Sequence, residues 1–177
     1  MFQINNTCDF NYIEVVLINK EINPFVYDVD FSESQCSEII TKVMTAYPQC
    51  KVFKKHTVKY LYGNLELTST ENDNTFLLHQ NTIVCNDVLK NKFLVNYYKK
   101  QPMPTHCFPS TTNMTDICDS KRVTIKMTNN IYLNFESLEY TSEPKQFHHI
   151  YLNVNMNKSS DTTFIVNTVN GILEALC

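Results

Sequence analysis

Apolar and polar side chains alternate with a period of two along most of this chain. Val123, Ile125 and Met127, for example, alternate with Thr124 and Lys126. Successive side chains of a β-strand point to opposite faces, so this alternation predicts strands with one buried face. On the same grounds strands are predicted at residues 10–18, 25–31, 51–55, 57–69, 75–85, 88–98, 131–135, 149–156 and 162–169. Residues 172–176 fit either a short terminal helix or an edge strand.

One segment has the period of an amphipathic helix instead. Five side chains share one face at helical spacing: Cys36, Ile39, Ile40, Val43 and Tyr47. Ser32 and Gln35 have the spacing of a capping box, which begins a helix, and Pro48 ends it. The pattern predicts a helix over about residues 33–47 that covers a sheet.

These elements indicate a mainly β (α+β) fold. We expect an antiparallel β-sandwich or open barrel of about ten strands, with the single helix packed on it. Residues 99–120 contain three of the six prolines and show no periodicity, so they are predicted to form a long loop. The chain is interpreted as one domain, residues 1–177, with the alternative of two lobes, 1–98 and 121–177, joined by that loop.

The composition excludes several classes of nucleotide-binding protein. Gly63 and Gly171 are the only glycines, whereas phosphate-binding loops and dinucleotide fingerprints need several glycines close together. Arg122 is the only arginine, which disfavours sequence-specific nucleic-acid recognition. The abundance of Asn, Cys, Tyr and Phe is similar to that of proteins from AT-rich large DNA viruses, especially insect viruses, and an AT-rich protist would have the same profile.

The seven cysteines are an odd number without a regular spacing, and the N-terminal residues do not have the pattern of a secretory signal. Free thiols are typical of a reducing compartment. The expected location is therefore the cytoplasm or nucleus of a host cell, or a virion, and not the secretory pathway. No apolar run is long enough to span a bilayer, so no membrane association is expected.

Two kinds of catalytic site have only weak support in the sequence. His106, Cys107 and Cys118 are weak candidates for a metal site or a reactive thiol centred on residues 99–120, but paired ligands at close spacing are absent. Metal-dependent phosphohydrolases of the β-tunnel type need alternating acids on one strand, whereas Glu136 and Glu139 are three residues apart and would face opposite sides. No catalytic residue, metal ion or other cofactor is predicted.

Lysine and tyrosine side chains are concentrated in residues 51–100, which carry eight lysines and four acids, against two lysines and seven acids in residues 1–50. Bases can stack on aromatic rings while lysines follow the phosphates, although a solvated strand face would look the same. The residues of this possible nucleic-acid or partner face are Lys54, Lys55, Lys59, Tyr60, Tyr97, Tyr98, Lys99 and Lys100.

The sequence therefore favours a non-enzymatic protein that acts through protein–protein contacts, as a virion component or a host-interaction factor. A protein partner or a homo-oligomer is expected, and a small-molecule substrate is not. One alternative is an accessory protein that binds nucleic acid through the face in residues 51–100. The other is a metal- or thiol-dependent enzyme that uses residues 99–120.

Overall fold

The computed structural model describes residues 1–7, 9–23, 26–63, 65–70, 73–104, 114–156 and 161–177. Its elements are β1 (Tyr12–Leu17), β2 (Lys20–Asn23), β3 (Val26–Asp28), α1 (Glu33–Ala46), β4 (Lys51–Tyr62), β5 (Leu65–Thr70), β6 (Asp73–Leu89), β7 (Phe93–Pro102), β8 (Asp116–Lys126), β9 (Ile131–Tyr140), β10 (Glu143–Asn155) and α2 (Thr162–Leu176). No helix among these elements is long and apolar enough to cross a membrane.

Eight of these strands form a closed antiparallel barrel in the order β1-β10-β9-β8-β4-β5-β6-β7, and β2 and β3 form a separate two-stranded sheet. β1 closes the barrel, because it pairs with β10 on one side and with β7 on the other. Tyr12, for example, lies opposite both Asn155 and Tyr98. The first and last thirds of the chain are thereby joined in one sheet.

The hydrophobic core lies outside the barrel, between its wall and the two helices. Ile13, Val15 and Leu17 of β1 point towards this core, together with buried residues of β7, β9 and β10. α2 contributes five buried side chains at helical spacing: Ile165, Val169, Ile172, Leu173 and Leu176. The alternate residues of the same strands point the other way, into the barrel.

The mainly β, α+β class is confirmed, but the architecture is neither a sandwich nor an open barrel of about ten strands. The barrel is closed by eight strands, since β1 has partners on both sides. The predicted strand over residues 162–169 is wrong, because those residues begin α2. The loop predicted over residues 99–120 is shorter than expected, since β7 extends to Pro102 and β8 begins at Asp116, and residues 105–113 lie outside the described part of the chain.

The start of α1 agrees with the sequence pattern. Ser32 Oγ accepts a hydrogen bond from the backbone N–H of Gln35 (3.2 Å), and the Gln35 side chain accepts one from the backbone N–H of Ser32 (2.8 Å). This reciprocal pair is the predicted capping box, and it satisfies two N–H groups that have no partner within the helix.

Replacing Ser32 by alanine should lower the free energy of unfolding by about 1 kcal/mol, because the N–H of Gln35 loses its acceptor. Urea denaturation followed by circular dichroism measures this change. Ser37→Ala, at an exposed position inside α1, is the matched control and should cost nothing, since alanine favours helix interiors. Equal losses in the two variants would contradict the capping role.

Candidate functional site

The interior of the barrel is a polar cavity of about 270 Å³, here called the lumen. Every one of the eight barrel strands contributes to its wall. The lining residues are Tyr12, Glu14, Val16, Lys59, Glu66, Asn81, Tyr98, Lys100, Arg122, Glu136, His149, Tyr151 and Asn153. Their spacing of two residues along β1, β7 and β10 follows directly from the pleat of a strand.

A buried ion pair stands at the centre of one wall. Lys59 Nζ of β4 lies 2.8 Å from Glu136 Oε1 of β9, and the two side chains are 18% and 5% exposed. Ser120 Oγ donates to the same carboxylate oxygen, and Tyr151 OH donates to Oε2 at 2.6 Å. Both oxygens of Glu136 are therefore occupied by donors from three other strands.

These contacts determine the charge state of Glu136. Burial alone would raise its pKa, but the Lys59 ammonium and the hydrogen bonds from Lys59, Ser120 and Tyr151 outweigh burial and lower the pKa to about 2. The same carboxylate adds to the effect of burial on Tyr151, whose pKa is raised well above the ordinary value for tyrosine. At neutral pH the cluster thus contains a carboxylate, an ammonium and a neutral phenol.

Glu14 of β1 is the second lumen carboxylate, and its environment is different. Its Oε1 accepts only long hydrogen bonds, from Asn96 Nδ2 (3.5 Å) and Tyr98 OH (3.4 Å). Burial raises its pKa, and these two hydrogen bonds offset the rise only in part. No cation is paired with Glu14 within the described residues, so burial dominates and keeps the pKa of its carboxyl above the ordinary value.

Two cations of the lumen lack a carboxylate partner among the residues that the structure describes. Lys100 Nζ lies 5.3 Å from the centre of the Tyr12 ring, and burial lowers the pKa of its ammonium. Arg122 donates one hydrogen bond, from Nη1 to Tyr151 OH at 3.3 Å. Its Nε is buried and has no acceptor, and Asn153 Oδ1 is buried without a donor. Buried polar groups normally have partners, and an anionic ligand would supply the acceptor that Arg122 Nε–H lacks, whereas Asn153 Oδ1 needs a donor.

The carboxylates do not form a site for a resident metal ion. Glu14 is flanked on its own face of β1 by Tyr12 and Val16, and Glu136 is flanked on β9 by Asn134 and Leu138. Among the lumen side chains that the structure describes, no strand contributes two alternating acids. Within the described ranges, no three His, Cys, Asp or Glu side chains are grouped so that they could hold a metal ion.

The residues of the predicted lysine–tyrosine face are distributed over different environments. Lys59, Tyr98 and Lys100 line the lumen. Tyr97 is buried in the core, where its OH donates to the backbone oxygen of Gln3 (3.1 Å). Lys99 forms an ion pair with Asp9 outside the lumen, at 2.7 Å. Lys54 and Lys55 are exposed near the start of β4, and Tyr60 is half-buried.

Of the weak metal candidates, only Cys118 is described. It is buried in β8, and burial raises the pKa of its thiol. His106 and Cys107 lie outside the described residues, so a site formed by the three stays a prediction. Glu139 is exposed while Glu136 is buried, in agreement with the expectation that they face opposite sides of a strand.

Sequence reasoning missed Glu14, Arg122 and Tyr151 as members of a site. A signal was present in β1, where the polar positions Tyr12 and Glu14 alternate with Ile13 and Val15. The polar side of such a strand is usually assigned to solvent, and only the pairing of β1 on both edges reveals that it is enclosed.

No protein-family model matches the chain, and no curated protein sequence is significantly similar to it. Solved structures do match. The Pct1 RNA triphosphatase of S. pombe superposes with a TM-score of 0.70 at 12% identity, over 94% of this chain and 82% of that one. The RNA triphosphatase domain of the mimivirus mRNA capping enzyme gives 0.63 at 7% identity, over 97% and 90%. At these identities the likeness establishes the fold and not the activity.

These neighbours overturn several predictions. A non-enzymatic structural or interaction protein was expected, whereas the matching structures are enzymes with a closed barrel. The sequence also predicts no small-molecule substrate. That prediction conflicts with the likeness to RNA triphosphatases. The physical reason for the error is the lumen, whose charged residues come from separate strands and form no local motif. One matching structure is Pct1 in complex with the Spt5 CTD, so a protein partner is compatible with this fold.

Replacing Lys59 by methionine should destabilise the protein by about 3–5 kcal/mol, because Glu136 would remain buried without its cation. The double variant Lys59→Met/Glu136→Leu should recover most of this loss, since both charges are removed. Urea denaturation at pH 7 measures both variants. An additive loss in the double variant would show that the two side chains are not coupled.

Proposed function

We propose that this protein is a phosphohydrolase that removes the terminal phosphate from a triphosphate, with the 5′-triphosphate end of RNA as the substrate class. The observation that carries the proposal is the enclosed pair of cations, Lys100 and Arg122, that lack an anion within the described residues. The shared fold with two RNA triphosphatases supports the choice of substrate.

The lumen offers donors suited to phosphate oxygens. Arg122 presents a buried Nε–H without an acceptor, and guanidinium groups bind phosphates through several parallel N–H donors. Lys100 adds a second cation from β7. Lys59 uses only part of its donor capacity, because an ammonium has three N–H groups and Glu136 accepts one of them. All three side chains line the same cavity.

The size of the cavity favours a phosphate chain over a whole nucleotide. Its volume of about 270 Å³ is at the lower limit of pockets that enclose drug-sized ligands, which measure roughly 300–1,000 Å³. The phosphate end of the substrate therefore enters the lumen, and the nucleoside and the RNA chain stay outside.

Glu14 is the proton acceptor in the proposed reaction. In hydrolysis, a water oxygen forms a bond to the terminal phosphorus, and the bond from that phosphorus to the bridging oxygen breaks. The bridging oxygen keeps the electron pair of that bond and leaves with the diphosphate end, whose charge Arg122 and Lys100 neutralise. One proton of the water passes to Glu14, which can accept it because burial has raised the pKa of its carboxyl.

The compartment and partners follow from this proposal. Cys36, Cys50, Cys118 and Cys177 are free thiols, which supports a reducing compartment, the cytoplasm or nucleus of a host cell. A protein that acts on RNA ends there would meet other proteins of RNA synthesis, so a protein partner remains part of the proposal.

The direct test is release of inorganic phosphate from a short RNA with a 5′-triphosphate, measured with and without added Mg²⁺. Lys100→Met should lower kcat/KM by at least tenfold, because the substrate loses one of two unpaired cations. Lys99→Met is the matched control, since the neighbouring side chain is outside the lumen in an ion pair with Asp9. It should retain wild-type activity. No phosphate release by the wild-type protein under either condition would refute the proposed function.

The pH profile tests the role of Glu14. Activity requires the carboxylate form, so kcat/KM should fall as the pH decreases through a pKa that is higher than 4.5, the ordinary value for this group. Glu14→Gln should lower kcat by about 10²–10⁴-fold. Tyr98→Phe removes a hydrogen bond that stabilises the carboxylate, and should therefore move the acid limb to higher pH. A limb that stays in place in this variant would contradict the assignment.

A further inference from the structure

Glu136 is not available to bind a divalent cation. Its Oε1 accepts hydrogen bonds from Lys59 Nζ at 2.8 Å and from Ser120 Oγ, and its Oε2 accepts one from Tyr151 OH at 2.6 Å. Divalent cations such as Mg²⁺ bind through the lone pairs of carboxylate oxygens, and three of the roughly four lone-pair positions of Glu136 already face protein donors. A metal ion at this carboxylate would displace the Lys59 ammonium and leave it without its counter-ion in a site where only 18% of its side chain is exposed.

The other carboxylates of the lumen do not compensate. Glu14 belongs to β1 and Glu66 to β5, and β6 and β7 lie between these two strands in the barrel. Each acid is alone on its own strand within the lumen. Thr68 Oγ1 also donates to Glu66 Oε1 at 3.1 Å. A metal ion bound by alternating acids of one strand has no counterpart in this wall.

The cations of the lumen can supply the charge that a metal ion would supply. Lys59 is held in one position by Glu136, while Lys100 and Arg122 line the same cavity from β7 and β8. An ammonium fixed by a carboxylate is a preorganised positive charge, and preorganised charge in a site shielded from water stabilises phosphate oxygens strongly.

We infer that the lumen binds the phosphate chain of its substrate with Lys59, Lys100 and Arg122 alone, and that Lys59, held by Glu136, occupies the place of a resident divalent cation. The inference rests on the proposed function, because it concerns how the same triphosphate is held. It adds that binding is independent of metal ions, which the likeness to RNA triphosphatases does not imply.

Two measurements on the full chain test it. Titration of the ligand-free protein with Mn²⁺, followed by electron paramagnetic resonance, should show no stoichiometric site. Isothermal titration with sodium tripolyphosphate in excess EDTA should show one-to-one binding. Lys59→Gln should weaken that binding at least tenfold in EDTA, and Lys99→Gln, outside the lumen, should leave it unchanged. A one-to-one Mn²⁺ site in the wild-type protein would overturn the inference.

The outcomes separate this inference from the proposed function. If tripolyphosphate binds only after Mn²⁺ is added, the inference is wrong and the proposed function stands. If tripolyphosphate binds under neither condition, the proposed function is wrong and the inference falls with it. If Lys59→Gln does not fold, the two wild-type measurements still decide the matter, since neither depends on the variant.

Discussion

The hydrogen bonding of β1 to two neighbours is the interaction on which the rest of the structure depends. This strand of six residues pairs with β7 along one edge and with β10 along the other. Without it, the wall would be an open sheet and its polar face would be in water. With it, that face becomes a lumen in which charges are poorly screened. Two carboxylates then respond in opposite directions. The pKa of Glu136 falls because its pairing with Lys59 and its hydrogen bonds outweigh burial, and the pKa of Glu14 rises because burial outweighs its two long hydrogen bonds.

The strands and α1 could be predicted because their signals are local. Alternation over a few residues marks a strand, and Ser32 with Gln35 marks the start of a helix. Closure could not be predicted, since it depends on the pairing of Tyr12 with Asn155, which are far apart in sequence. The segment 162–169 was misread for a different reason. Its isoleucine, valines and threonines favour strands, and the helical spacing of Ile165, Val169 and Ile172 decides the structure through contacts with the core.

The candidate site was only partly accessible from the sequence. Lys59, Tyr98 and Lys100 were selected from a concentration of lysine and tyrosine, but the sequence did not reveal that they share an interior. Glu14 and Arg122 have no neighbour of matching chemistry along the chain. Such residues form a site only when eight strands bring them around one cavity. Composition and spacing therefore do not predict that they lie close together. A site assembled with one charged residue per strand does not form a motif.

The distribution of acids explains how this wall differs from one built to hold metal ions. Alternating acids on a strand place two like charges next to each other, and a divalent cation then relieves their repulsion. Here three of the eight strands bring one acid each among the lumen residues that the structure describes, and one of these acids, Glu136, is neutralised by a side chain of the protein itself. A lysine fixed in this way cannot dissociate as a metal ion can, so its ammonium stays in the lumen whatever the ionic composition of the surroundings. For the proposed substrate the same fixation has a geometric consequence: a linear phosphate chain carries negative oxygens along its whole length, which three separate cations, Lys59, Lys100 and Arg122, could contact at once.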